Sequence, residues 1–394
     1  MTAGVYLHIP FCKSRCSYCD FATDVWRSGD VVERYVEALC REIESEPAAS
    51  AAGQFAVGDS ISSNWPPAYA GGSDIDTIYF GGGTPSLLTP EQVGRILAEV
   101  RKRFSVADNA EITLEMNPAT VTHESLVAYR SLGVNRASFG VQTFDDRDLK
   151  LLARGHDSKD ARTTFRMLRD AGFTNISFDL IAGLPGQTMA NWMRNLDEAA
   201  ALSPEHISLY LLEIHEGTPL AEQMRSGRRK AIADELAAEM YEAMLDRLAA
   251  EGYEQYEISN FSRPGFAARH NVKYWRLDPV FGFGVSAHSF DGRRRYANER
   301  DTAAYVRSIE QNGTAKVMCE DAVLASEFVF LGLRMEEGIS LDEYLTRFGR
   351  DLIEELRNEL ADLIDKGLIE MSPSRIKLTR KGKLFSNEVF AVFV

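Results

Sequence analysis

A short apolar run followed by a longer amphipathic stretch recurs six times in this chain, and that rhythm restricts the available folds more than any other feature. The runs are VYLHI (5–9), DTIYFGG (76–82), EITLEMN (111–117), RASFGVQ (136–142), NISFDLIAG (175–183) and HISLYLLEI (206–214). Helical spacing follows each: Val31 to about Glu46, then TPEQVGRILAEVRKRF, HESLVAYRSLG, SKDARTTFRMLRDAG, MANWMRNLDEAAAL and ADELAAEMYEAMLDRLAAEG. Several of these close on glycine, as a helix C-terminus does. Strands alternating with helices predict an α/β fold with a parallel sheet. Six units are too few to close an eight-stranded barrel, so the expectation is an open, partial (β/α)6 barrel over residues 1–252. Residues 47–73, rich in Ala, Gly, Ser and Pro, have neither period and read as an exposed insertion, mobile unless Trp65 or Tyr69 docks.

The first run delivers three of the chain's five cysteines, Cys12, Cys16 and Cys19, in a C-x3-C-x2-C loop. Three thiolates on one loop can hold three corners of a cubane iron–sulfur cluster and leave one iron open to a small molecule. A structural zinc site would need a fourth soft ligand, and the loop offers none. Cys40 lies in VVERYVEALCREIE, where apolar residues recur at helical spacing, and reads as core; the isolated Cys319 takes the same reading. Five cysteines with three committed to one loop make no disulfide framework, which points to a reducing, cytoplasmic setting. Met1 runs almost directly into VYLHIP, leaving no room for a signal peptide, and no apolar run approaches the ~18 residues of a spanning helix. A net charge of −14 argues against nucleic acid as a general partner.

In parallel α/β folds, working residues gather at the carboxyl ends of the strands. Cys12 follows the first strand, Gly81-Gly82-Gly83-Thr84 the second, Glu115 and Gln142 end the third and fourth, and Asp179 lies on the fifth before GLPGQT. Singly, each carboxylate reads as solvated or as a cap; their common position makes them a site. The glycine run is no phosphate loop, because neither G-K-[ST] nor G-x-G-x-x-G is present. It is either a strand-end turn or a bare backbone that lets a ligand approach.

After Gly252 the rhythm stops. Residues 253–394 begin with an irregular aromatic and basic stretch containing HNVKYW and FGFGVSAHSF, then give helices and a short hairpin, LIEMSPSRIKLTRKG. That order suggests a mostly helical, winged-helix-like C-terminal domain, read as a lid or docking unit rather than a DNA reader.

The cysteine spacing, with Tyr18 before the last thiol, resembles the radical S-adenosylmethionine (SAM) superfamily. YLHIPFC, GGGTPS, EMNP, GVQTF, DLIAGLPGQT, HISLY and HNVKYW together are similar to the branch around the oxygen-independent coproporphyrinogen III oxidase HemN, and within it to the HemW heme chaperones. The resemblance covers nearly all of the chain except the insertion. It implies a [4Fe-4S] cluster on Cys12, Cys16 and Cys19, and SAM contacts from Tyr6, Tyr18, Gly82, Gly83, Thr84, Glu115, Gln142, Arg154 and Asp179. Two departures separate the chain from the oxidase: Phe21 stands where the oxidase has a fourth cysteine, and no long segment precedes the cluster motif. HNVKYW instead matches the chaperones' HNxxYW signature. Heme needs an imidazole, aromatic cover and cations for its propionates; His270, Tyr274, Trp275 and Arg293 to Arg295 offer these, with His8 and His288 as rival ligands. The implied function is binding heme and passing it to an acceptor the sequence does not name, with no coproporphyrinogen oxidase activity and a homodimer left open. The alternatives are a radical enzyme acting on a porphyrin, or a SAM-binding iron–sulfur protein with an unrelated substrate.

Overall fold

The computed structural model describes residues 2–25, 28–46 and 74–393; the insertion 47–73, with Trp65 and Tyr69, lies outside the described residues. Strand β1 (Ala3–Ile9) leads into a small parallel pair, β2 (Phe11–Cys12) and β3 (Asp24–Val25), that brackets the cysteine loop. The other five runs form β4 (Asp74–Gly82), β5 (Ser105–Met116), β6 (Arg136–Gln142), β7 (Ile176–Ala182) and β8 (His206–Leu211). β1, β4, β5, β6, β7 and β8 are successive neighbours, every pair parallel.

Among the described residues up to Gly252, six α-helices stand where the periodicity puts them and two short ones are additional. They are α1 (Gly29–Ser45), α2 (Pro90–Arg103), α3 (His123–Ser131), the short α4 (Asp146–Leu151), α5 (Ser158–Asp170), α6 (Met189–Leu202), the short α7 (Pro219–Arg225) and α8 (Asp234–Ala250). Their ends are written locally: Thr89 and Gln92 close a capping box on α2, with Pro90 in its first turn and Arg101, Lys102 and Arg103 in its last.

Alternation along the parallel strands decides where chemistry can occur. Val5, Leu7 and Ile9, Ile78 and Phe80, Leu114, Phe139 and Val141, Phe178 and Leu180 join the apolar core with residues of α1, α2, α5 and α6. The intervening residues, Tyr6 and His8, Thr77 and Tyr79, Glu111 and Glu115, Arg136, Asp179, His206 and Ser208, carry hydroxyls and charges to the opposite face. A sheet face this polar and this enclosed is not built for packing alone.

The sheet is larger than the rhythm indicates. β9 (Glu254–Glu257) and β10 (Asn260–Ser262) extend it antiparallel beyond β8, so the chain after Gly252 stays in the same sheet. Helix α9 (Arg269–Trp275) follows, and β11 (Val280–Phe283) then pairs parallel to β1. β12 (His288–Phe290), β13 (Arg294–Asn298) and β14 (Lys316–Asp321) complete twelve strands. Of the glycines of FGFG, Gly282 is a residue of β11 and Gly284 turns the chain directly after it, and close packing requires both. A Cβ on Gly282 would sit 2.2 Å from the His288 carbonyl oxygen, and Gly284 has φ +99° against the His8 carbonyl. Cys40 packs at the edge of the core as expected. Cys319 does not: it is exposed, because β14 is an edge strand open on both faces.

A second core gathers apolar residues from Ile258 to Phe393, dominated by residues 328–393. α10 (Thr302–Asn312) still packs on the first core through Tyr305, Val306 and Ile309, and the second core contains α11 (Leu324–Gly332), α12 (Leu341–Phe348), α13 (Leu352–Glu355) and α14 (Arg357–Asp365). A three-stranded antiparallel sheet joins them, built from β15 (Ile339–Ser340), β16 (Ile369–Met371) and β17 (Arg375–Leu378). Among the described residues, no helix is long and apolar enough to cross a membrane.

Candidate functional site

The site begins where β1 ends. The Gly83 N–H donates to the Ile9 carbonyl and the Thr84 N–H to the Phe11 carbonyl, both at 2.8 Å, which fastens the end of β4 to the start of the cysteine loop. A Cβ on Gly83 would lie 2.7 Å from Pro10 backbone atoms, and one on Gly82 2.7 Å from the His8 ring. The glycine run therefore serves first the approach of two protein segments, a use that neither reading from sequence contains.

Each of the three thiols in the loop has a donor. The Thr84 hydroxyl donates to Cys12 Sγ at 3.6 Å, and Arg154 Nη1 donates to Cys16 Sγ at 3.4 Å. The Phe21 N–H and the Thr23 hydroxyl serve Cys19. Burial pushes the Cys12 and Cys19 thiols up, and these hydrogen bonds pull the other way. Among the described residues, no three His, Cys, Asp or Glu side chains are arranged to share one metal ion. The loop offers three thiolates and no fourth soft ligand, which suits three corners of a cubane better than a closed zinc site. This donor set fits a cubane with one uncommitted corner.

The strand ends beside the loop carry most of the remaining candidates. Tyr79 Oη donates to Glu115 Oε1 at 2.6 Å and the Gly82 N–H to Glu115 Oε2 at 3.2 Å. Burial, then the Asp179 carboxylate, push Glu115 up to about 7 against the Tyr79 hydrogen bond. Burial likewise raises Asp179 to about 6, opposed by a hydrogen bond with Ser208 and by Arg136 and Arg154. Gln142 ends β6 at φ +67°, a left-handed backbone that turns its side chain toward Gly140 and Arg154. Tyr18 packs against Leu152, Ile181 and Leu184, and Tyr6 Oη meets His8 Nδ1 at 3.1 Å. Thus seven of the nine SAM candidates lie on or beside the ends of β4, β5 and β6 and the cysteine loop, while Tyr6 and Asp179 stand at the middle of β1 and β7. Sequence reasoning passed over Asn117, Thr23 and Arg136; the last is a 1%-exposed guanidinium whose Nε has no hydrogen-bond partner among the described residues.

The first heme candidate adjoins the same sheet face from the other end of the strands: the His270 ring stacks on Tyr79 at 5.1 Å and on Tyr6 at 6.4 Å between centroids. α9 sits across the amino ends of the parallel strands, held by Arg269 and Lys273 to Asp76 and by the His270 N–H to Glu111. His270 is 1% exposed; Nδ1 meets Thr77 Oγ1 at 2.9 Å and Nε2 meets Tyr274 Oη at 3.1 Å. Burial and Lys273 push it down to about 3, so it is neutral. Trp275 lies under Arg334, 4.4 Å from guanidinium carbon to ring centroid. Of the arginine trio, Arg293 and Arg294 pair with Asp321 and Arg295 with Glu327, so none is uncommitted. His8 is buried, with Nε2 2.9 Å from the Ala22 carbonyl, whereas His288 is exposed on β12.

These elements define a class. The Radical SAM superfamily signature matches residues 68–199 and the HemN C-terminal domain matches residues 321–385, while the structure of coproporphyrinogen III oxidase HemN from Escherichia coli shares the fold. That structure superposes with a TM-score of 0.82 over 100% of this chain and 90% of its own, at 24% identity. The cysteine loop precedes the matched segment, so its assignment rests on the geometry above. Over full length, the heme chaperone HemW of Bacillus subtilis is 37% identical across 397 residues, 99% of either chain. HemW of Escherichia coli is 31% identical, over 99% of this chain and 98% of its own. The chain belongs to the HemW heme-chaperone family.

Proposed function

We propose that this protein binds heme and delivers it to acceptor proteins, holding a [4Fe-4S] cluster on Cys12, Cys16 and Cys19 and SAM at the adjoining strand ends. The observation that carries the reading is full-length similarity to the HemW chaperones together with a three-thiol loop in which every sulfur has a hydrogen-bond donor. In this reading the six parallel strands curve as a partial barrel, residues 253–394 complete the sheet and add the winged-helix-like unit, and the protein works in a reducing, cytoplasmic setting.

The cluster, when bound, supplies an electron source and an open iron that chelates SAM. The chain's own residues do the rest. Arg154 fits the carboxylate of SAM, Glu115 and Asp179 its ammonium and ribose hydroxyls, and Tyr6, Tyr18, Gly82, Gly83, Thr84 and Gln142 complete the walls. Phe21 stands where the oxidase pattern has a fourth cysteine, and that departure favours binding over porphyrin turnover.

For heme, His270 with Tyr274 and Trp275 is the first candidate site, and Nε2 becomes available once it parts from Tyr274. The exposure of His288 supports a second, on the surface of β12. The test is to incubate the anaerobically reconstituted protein with heme and, separately, with coproporphyrinogen III, SAM and reductant. A Soret band with no protoporphyrinogen is expected; efficient decarboxylation would overturn the chaperone reading. Loss of the band in His270→Ala or in His288→Ala assigns the ligand.

A further inference from the structure

Two of the four donors that reach the cysteine sulfurs are held by one amide. Asn117 follows β5 directly; its Oδ1 accepts from Arg154 Nη2 at 2.5 Å, and its Nδ2 donates to Thr84 Oγ1 at 2.8 Å. Arginine has no acceptor, so Oδ1 must face Arg154 and the NH2 must face Thr84. The Thr84 oxygen is then occupied as an acceptor, and its own hydrogen points to Cys12 Sγ. Arg154 Nη2 is pinned between Asn117 and the Gly140 carbonyl, at 2.7 Å, which leaves Nη1 aimed at Cys16 Sγ. The path Cys12–Thr84–Asn117–Arg154–Cys16 crosses the ends of β1, β4 and β5 and the segment after α4.

We propose that Asn117 is a positioning residue for the cluster: it orients both the Thr84 hydroxyl and the Arg154 guanidinium and so sets the reduction potential. This rests on the cluster assignment above. Hydrogen bonds to ligand sulfurs favour the more reduced, more negative cluster, so weakening two of them together makes reduction harder. Other small residues fill the position less well. Alanine releases both donors, whereas aspartate keeps an oxygen for Arg154 and offers Thr84 an acceptor in place of an N–H, drawing its hydrogen away from Cys12.

The experiment is an EPR-monitored redox titration of anaerobically reconstituted parent, Asn117→Ala, Asn117→Asp, Thr84→Ala and the Asn117→Ala/Thr84→Ala double variant, with iron content and circular dichroism on each. Expected are near-parental iron and fold, potentials more negative than the parent in all four, and a double variant short of the sum of its singles because both act on Cys12. Should either Asn117 variant fold but fail to load iron while Thr84→Ala loads, the positioning role is supported through loading instead. Parental potentials in Asn117→Ala and Asn117→Asp, or full additivity in the double variant, overturn it. A parent that takes up no cluster overturns the functional reading itself, a result distinct from either.

Discussion

Glu115 is held in a place that suits a bound ligand better than it suits the folded chain alone. Its carboxyl rises from an ordinary 4.5 to about 7, first through burial and then through Asp179. Protonation is therefore favoured in the folded state: the contribution to stability is complete below the unfolded value of 4.5 and is lost as pH rises through about 7. At about 1.4 kcal/mol per pH unit, that loss reaches roughly 2 kcal/mol at pH 6 and roughly 3 kcal/mol at pH 8.5. Glu115→Gln removes it but forfeits one hydrogen bond, because with Oε1 toward Tyr79 the amide turns its NH2 to the Gly82 N–H, at a cost of about 1 kcal/mol. The variant without cluster or SAM should thus exceed the parent by about 1 kcal/mol at pH 6 and about 2 kcal/mol at pH 8.5. Asp179, freed of a neighbouring charge, pushes the gap further the same way, since the two carboxyls titrate as a pair. Urea unfolding followed by circular dichroism at the two pH values measures the gap. A variant less stable than the parent by the same amount at both would refute the account.

Cys16→Ala should lose most of the iron after anaerobic reconstitution while Cys40→Ala and Cys319→Ala keep it, read by iron content and visible absorption. Asp179→Asn should weaken SAM binding in calorimetry without emptying the cluster, since Asp179 touches none of the thiols. Gly282→Ala forces a Cβ to within 2.2 Å of the His288 carbonyl oxygen, so the strand pairing must shift and stability should fall by about 1–3 kcal/mol or more, measured as the unfolding midpoint.

The six parallel strands and the cysteine loop were legible because each has a local signal: periodicity for the strands, clustering of a rare residue for the loop. The strand-end carboxylates followed from position alone. β11 was not legible, since the strand it pairs with is β1, at the opposite end of the sequence. Asn117 escaped for a similar reason: EMNP marks a strand end, and nothing local says that its amide joins Thr84 to Arg154 across 33 and 37 positions of the chain. His270 shows the reverse. The motif is plain in the sequence, but its burial under the strands follows only from how α9 is tethered.

That tether turns the choice between the two heme histidines into a measurable one. α9 is fixed by Lys273 to Asp76 at 2.8 Å and to the Thr2 carbonyl at 2.9 Å, and by Arg269 to the Asn109 carbonyl at 3.0 Å, so it cannot swing out to present His270 without breaking several contacts. A neutral ring that donates from Nδ1 to Thr77 keeps its lone pair on Nε2, where the Tyr274 hydroxyl now competes for it. The Tyr274 ring is partly exposed but its hydroxyl is buried against His270, so a ligand reaches the nitrogen only by displacing that hydroxyl. Tyr274→Phe removes the competing hydroxyl and keeps the aromatic cover. With His270 as ligand, heme affinity should rise by about fivefold, the equivalent of one hydrogen bond of about 1 kcal/mol. With His288 as ligand the affinity should not change, because β12 has no contact with that hydroxyl. A heme titration of Tyr274→Phe beside the parent separates the two, and weaker binding in the variant would mean that the phenol itself serves the heme.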